Sequence, residues 1–159
     1  RTLVHLVPDS SVFAPGASGD LALVQGPTAN PVSLTMTFKP EAGGASTSQT
    51  LPASSAGVTL ISRSATGAPT IWESGFDCAS GDAAASADPL SFIETVSPPA
   101  VSLLLSTPEA SDTQAQKSLK ALRQSCGGLV PAAETLAQFG LADVVTAEWP
   151  QQLPVRCPS

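Results

Sequence analysis

Proline does most to limit what this chain can fold into. Before residue 100 it recurs at Pro8, Pro15, Pro27, Pro31, Pro40, Pro52, Pro69, Pro89, Pro98 and Pro99, mainly between short apolar runs. Proline has no backbone N–H to donate to a sheet ladder and breaks helix interiors, so it marks turns and edges. Only short strands fit between such stops. The runs read as strands Thr2–Val7, Asp20–Gln25, Val32–Lys39, Gly57–Arg63, Thr70–Phe76, Ser91–Val96 and Ala100–Ser106. Val32–Lys39 alternates most clearly, with Val32, Leu34, Met36 and Phe38 on one face and Ser33, Thr35, Thr37 and Lys39 on the other. That is the signature of a half-buried antiparallel strand.

The last third changes period. Ala115, Leu119, Leu122 and Cys126 recur at helical spacing, with Ser111 or Asp112 as N-cap and Gly127-Gly128 as the stop. Lys117, Lys120 and Arg123 lie in the later turns, where cations oppose the helix dipole. A second helix is predicted from Pro131 to Gly140, with Ala133, Leu136, Ala137 and Phe139 inward. The tail from Trp149 to Cys157 reads as irregular. Glu41–Ala56 and Cys78–Asp88 read as mobile loops, being rich in Gly, Ser, Thr, Ala and Asp. The expected fold is mainly β with C-terminal helices (α+β). It is an antiparallel β-sandwich or small barrel of about seven strands plus one or two packed helices. Residues 1–159 form a single domain, 1–107 β-rich and 108–159 helical part and tail. Ala17-Ser18-Gly19-Asp20 echoes Ala79-Ser80-Gly81-Asp82, a match that an Ala- and Ser-rich chain produces by chance.

Charge is scarce and uneven. Charged residues make up 13 %, about half the usual share, and mean hydropathy is +0.18. Ala, Ser, Thr, Gly and Pro stand where Lys and Glu normally would, giving a weakly charged surface suited to packing against a partner. Biased genomic composition would give the same pattern without any function. The net charge of −6 resides in residues 1–109, while 110–159 balance to zero. Nucleic acid binding needs a basic face, so that partner is excluded. No apolar run reaches membrane-spanning length. A chain starting at Arg1 without Met reads as a processed mature chain or an excised domain. Cys78, Cys126 and Cys157 form no CxxC pair, which disfavours structural zinc. One disulfide plus one odd thiol is expected, with Cys126–Cys157 and Cys78–Cys126 equally open. Three buried free thiols in a cytosolic protein are the alternative. A disulfide points to an extracytoplasmic setting: secreted, periplasmic or cell surface.

Side chains for chemistry are few. There is one histidine, His5, in the apolar run Thr2–Val7, and no Gly-x-Ser-x-Gly elbow to pair it with a serine. A half-buried or edge-strand histidine is the simpler reading. Glu73 beside Trp72, with Glu94 on another strand, offers carboxylates near an aromatic platform, as glycosidases require. Packing of Trp72 in the core is the plainer expectation. Asp77, Asp82 and Asp88 match no calcium loop spacing and read as a solvated loop. Phosphate-binding glycine loops are missing, and Asn30 is followed by proline, so there is no glycosylation sequon. No cofactor or metal site is expected.

These features favour a non-catalytic extracytoplasmic structural or assembly subunit that engages protein partners or itself. Leu3 and His5 of the N-terminal run and the stripe Lys117, Lys120 and Arg123 are the candidate contacts. One alternative is a monomeric secreted binding or inhibitory domain using loops 41–56 and 78–88. Another is a cell-envelope hydrolase using the carboxylates near Trp72.

Overall fold

The computed structural model describes residues 2–7, 12–15, 20–63, 68–77, 99–106 and 110–158. In chain order the elements are β1 (Leu3–His5), β2 (Val12–Phe13), β3 (Asp20–Gln25), β4 (Leu34–Pro40), β5 (Thr47–Leu51), β6 (Gly57–Ser62), β7 (Thr70–Phe76) and β8 (Ala100–Leu104). Then come α1 (Ala110–Arg123), β9 (Leu129–Pro131), α2 (Ala132–Ala137), a 3-10 turn (Ala142–Val144) and β10 (Gln152–Arg156). The described strands form two five-stranded sheets, ordered β1-β3-β6-β10-β9 and β2-β8-β7-β4-β5. The fold is a mainly-β sandwich with C-terminal helices; two separate sheets rule out the barrel.

Burial explains the two kinds of strand sequence. Every residue of β3, and every residue of β6 except Ser62, is buried. One face of that sheet meets the second sheet, and α1 packs against β3. Strands covered on both faces read as nearly continuous apolar runs, here Leu21–Val24 and, interrupted only by the buried Thr59, Val58–Ile61. On β4 the buried Leu34, Met36 and Phe38 alternate with the less buried Thr35, Thr37 and Lys39, because among the described residues no layer covers its outer face.

Several expectations need correction. Glu41–Ala56 is not all loop: Thr47–Leu51 is β5, paired antiparallel with β4 from Leu34↔Leu51 to Phe38↔Thr47. Four of its five residues are exposed, so no apolar alternation signalled it. The tail is not irregular either. Within it, β10 pairs parallel with β6 at Val155↔Val58 and Arg156↔Thr59, and antiparallel with β9. Pro154 is tolerated because it faces Leu129 of β9, one residue short of the β6 ladder. The β2–β8 pair is also parallel, so the sandwich is not wholly antiparallel. Helix α1 starts at Ala110, which puts Ser111 and Asp112 inside its first turn instead of at the cap. In α2 the buried positions are Ala132, Thr135 and Leu136, while Ala133 and Ala137 are exposed. The helix closes with Gly140 N–H on Ala137 O (3.1 Å) and Leu141 N–H on Leu136 O (2.9 Å), Gly140 taking φ +73°. That is a Schellman closure, for which glycine is the low-cost residue. The predicted strand Ser91–Val96, the loop 78–88 and Cys78 lie outside the described residues.

A small polar cluster fixes α1 to its sheet. Arg123 Nε donates to Asp20 Oδ1 at 2.9 Å, Arg123 Nη2 donates to Ser62 Oγ at 2.7 Å, and Ser62 Oγ donates to Asp20 Oδ1 at 3.3 Å. Removing Arg123 strands a mostly buried carboxylate. Arg123→Ala is expected to cost about 1–2 kcal/mol, and Asp20→Asn/Arg123→Ala less than the sum of its parts. A double-mutant cycle in urea measures the coupling; strict additivity would show that the cluster is not one unit.

Candidate functional site

The only histidine sits between the sheets. His5 ends β1, and its ring crosses to β7 and β8, with Nε2 2.7 Å from Ser74 Oγ and Nδ1 2.9 Å from Ser102 Oγ. A neutral imidazole donates from one nitrogen and accepts at the other, and a hydroxyl serves either role. The ring stacks on Trp72 at 3.4 Å between centroids and 5° between planes. Trp72 lies parallel to its cross-strand neighbour Phe38 at 6.2 Å, and Arg63 caps Phe38 at 3.8 Å. Arg63, Phe38, Trp72 and His5 thus form one column through the sandwich. The cation end gains from the ring's negative face.

The Ser74–His5 distance is that of a nucleophile and its base. Its setting is different. Ser74 is 0 % exposed, Ser102 2 % and His5 5 %, and the second ring nitrogen meets a hydroxyl where a triad would have a carboxylate. No substrate carbonyl reaches Ser74 Oγ in this arrangement. Burial without a counter-charge holds the His5 pKa at about 3, well below the usual 6.5, so the ring is neutral at pH 7. The cluster pins the two sheets together.

The other predicted residues are dispersed. Leu3 is half-buried on the outermost strand of its sheet, where the N-terminal run pairs with β3 of its own domain. Lys117 and Lys120 are exposed on α1, but Arg123 is engaged by Asp20. Cys126 and Cys157 form a disulfide, which decides between the two open pairings. Trp72 is wholly buried and cannot serve as a sugar platform, and Glu73 is exposed next to it in sequence. Glu94, Asp82 and Asp88 lie outside the described residues. Asp77 accepts hydrogen bonds from Ser33 (2.9 Å) and Thr35 (2.8 Å), which employs its carboxylate on the sheet surface. Among the described residues, no group of three or more metal-ligating side chains comes together.

Sequence reasoning missed Ser74, Ser102 and Arg156. The first two carried a readable signal: each is a polar residue at an inward strand position, two along from buried Trp72 and Leu104 respectively. The chain shows no match to a protein-family model, a curated protein or a solved structure.

Free strand edges are the remaining candidate. Among the described strands, four are outermost: β1, β2, β5 and β9. Three are blunted in familiar ways. β1 and β9 have three residues each, β9 ending in Pro131, and β2 has two. β5 is different. It has five residues, Thr-Ser-Gln-Thr-Leu, without charge or proline, and four of them are exposed.

Proposed function

We propose that the protein is a non-catalytic extracytoplasmic assembly module that associates through the free edge of β5, pairing with a second copy. The unblunted β5 edge is the observation that carries this reading, because unpaired N–H and C=O groups in a row template strand addition. Two further features support it. Antiparallel pairing about a twofold axis through Gln49 sets Ser48 opposite Thr50 and Thr47 opposite Leu51, a self-complementary register. The chain is also uncharged from Ala42 to Ser62, so the net charge of −6 does not oppose contact there. The Cys126–Cys157 disulfide supports an oxidising compartment.

Light scattering on a sizing column, over a wide concentration range, tests the proposal. The wild-type mass is expected to rise towards twice 16.0 kDa. Gln49→Lys places two like charges face to face on the twofold and is expected to hold the chain at 16.0 kDa with its stability intact. A wild-type monomer at every concentration, or a Gln49→Lys dimer as tight as wild type, would refute pairing through β5.

A further inference from the structure

A cleft opens where β5 ends above the other sheet. Gln25, Leu51, Pro52, Ser54, Thr59, Arg156, Cys157 and Pro158 line about 260 Å³. Its walls are largely apolar, Leu51, Pro52, Cys157 and Pro158 among them. Gln25 and Thr59 are buried polar groups, and Gln25 Nε2 donates weakly to Ser54 Oγ at 3.4 Å.

Arg156 gives the cleft its chemistry. It comes from β10, beside Thr59 on β6, and its guanidinium lies over Gly57. A Cβ at position 57 would overlap that group, so glycine here makes room for the cation. Nη2 donates to Ala56 O at 3.2 Å. Among the described residues the buried Nη1 has no hydrogen-bond partner and Arg156 makes no ion pair. An orphaned buried donor on a cation is costly, and because Arg156 also lines the cleft, a side-chain rotation that brings the guanidinium to an anion held there would relieve it.

We propose that this cleft binds a carboxylate carried on a short apolar body. The planar guanidinium fork matches a carboxylate, and the apolar walls disfavour a bare inorganic anion. The volume falls below the roughly 300 Å³ where drug-sized sites begin, so the occupant is short. A single cation in a chain of net charge −6 suits a monoanion over a polyphosphate. The carboxylate can belong to a free acid or to the C-terminus of a peptide, and the test separates these.

The experiment is a titration followed by amide NMR at Leu51, Ser54, Gly57 and Thr59, using hexanoate, 1-hexanol, N-acetylleucine and N-acetylleucinamide as probes. Saturable shifts are expected for a carboxylate at least about tenfold tighter than for its neutral counterpart, the worth of a charge-assisted hydrogen bond. Preference for hexanoate identifies a free acid, and preference for N-acetylleucine a peptide terminus. Arg156→Gln is expected to erase the tenfold preference. Arg156→Lys, which keeps the charge and loses the fork, is expected to reduce it at least threefold and decides the matter should the glutamine variant not fold. Non-saturating shifts, equal affinity for acid and neutral probe, or unchanged binding in the Arg156 variants would overturn the site. Running the titration on Gln49→Lys as well keeps its outcome separate from that of self-association.

Discussion

Lowering the pH from 7 to 4 is expected to remove roughly 3 kcal/mol of stability through His5 alone. The sign follows from where the proton binds. In the unfolded chain the imidazole titrates near 6.5, whereas in the fold burial holds it at about 3. Above pH 6.5 both states are neutral and the group contributes no pH dependence. Between 6.5 and 3 only the unfolded chain takes up the proton, so stability falls with falling pH. Below about 3 both states are protonated and the slope vanishes. Carboxylates titrate over part of the same range, so the measurement needs a reference that lacks only the imidazole. His5→Gln supplies it: a neutral side chain with one donor and one acceptor group for Ser74 and Ser102. Urea unfolding at pH 7, 6, 5 and 4 should give a steeper loss for wild type than for His5→Gln, with the gap closing by roughly 2 kcal/mol between pH 7 and 5. Parallel curves would mean that the ring takes up a proton in the native state and that the two-serine cage does not hold it neutral. At pH 7, His5→Ala should itself cost about 2–4 kcal/mol, since it opens a cavity against Trp72 and orphans two buried hydroxyls.

That cluster shows where sequence reading succeeds and where it stops. Alternation on β4 and the helical spacing of Ala115, Leu119 and Leu122 follow from local geometry, and these positions are buried, whereas Val32 lies half-buried before β4 begins and Cys126 lies exposed past the end of α1. The strand core of the first two-thirds was legible for the same reason, because apolar residues must find a face. The Thr47–Leu51 strand was not legible. It forms through backbone pairing with β4, and its exposed side chains carry no burial pattern. The β10 strand was hidden by Pro150 and Pro154, which argue locally against a ladder. Its place is set by long-range pairing with β6, about a hundred residues earlier in the chain. The same holds for the partners of His5. Spacing within one strand shows that Ser74 and Ser102 point inward. Only the order of strands in two facing sheets brings both hydroxyls to one ring.

Loss of the Cys126–Cys157 bridge is expected to cost about 3–4 kcal/mol on the loop-entropy account of disulfides. The bridge spans 31 residues and joins the turn after α1 to the residue after β10. It does so where the backbone already converges: Gly127 N–H donates to Val155 O at 2.9 Å, and Val155 N–H donates to Gly128 O at 3.0 Å. These bonds extend the β9–β10 ladder, but β10 meets β6 at only two residue pairs. The covalent link therefore secures a strand that meets its inner neighbour at only two residue pairs. That strand also delivers Leu153 and Val155 to the core and Arg156 to the cleft. A Cys78→Ser background removes the third thiol and prevents exchange. Adding Cys126→Ser and Cys157→Ser should lower the melting temperature by roughly 8–15 °C, at about 2–4 °C per kcal/mol for a chain of this size. Amide exchange should separate two mechanisms. If the bridge acts only on the unfolded chain, protection falls equally throughout the core. If it also holds β10 in place, Leu153 and Val155 lose protection earlier than Leu23 and Leu60, and the carboxylate probes lose affinity at Arg156 in the folded protein. An unchanged melting temperature would show that the ladder alone closes this end of the sandwich.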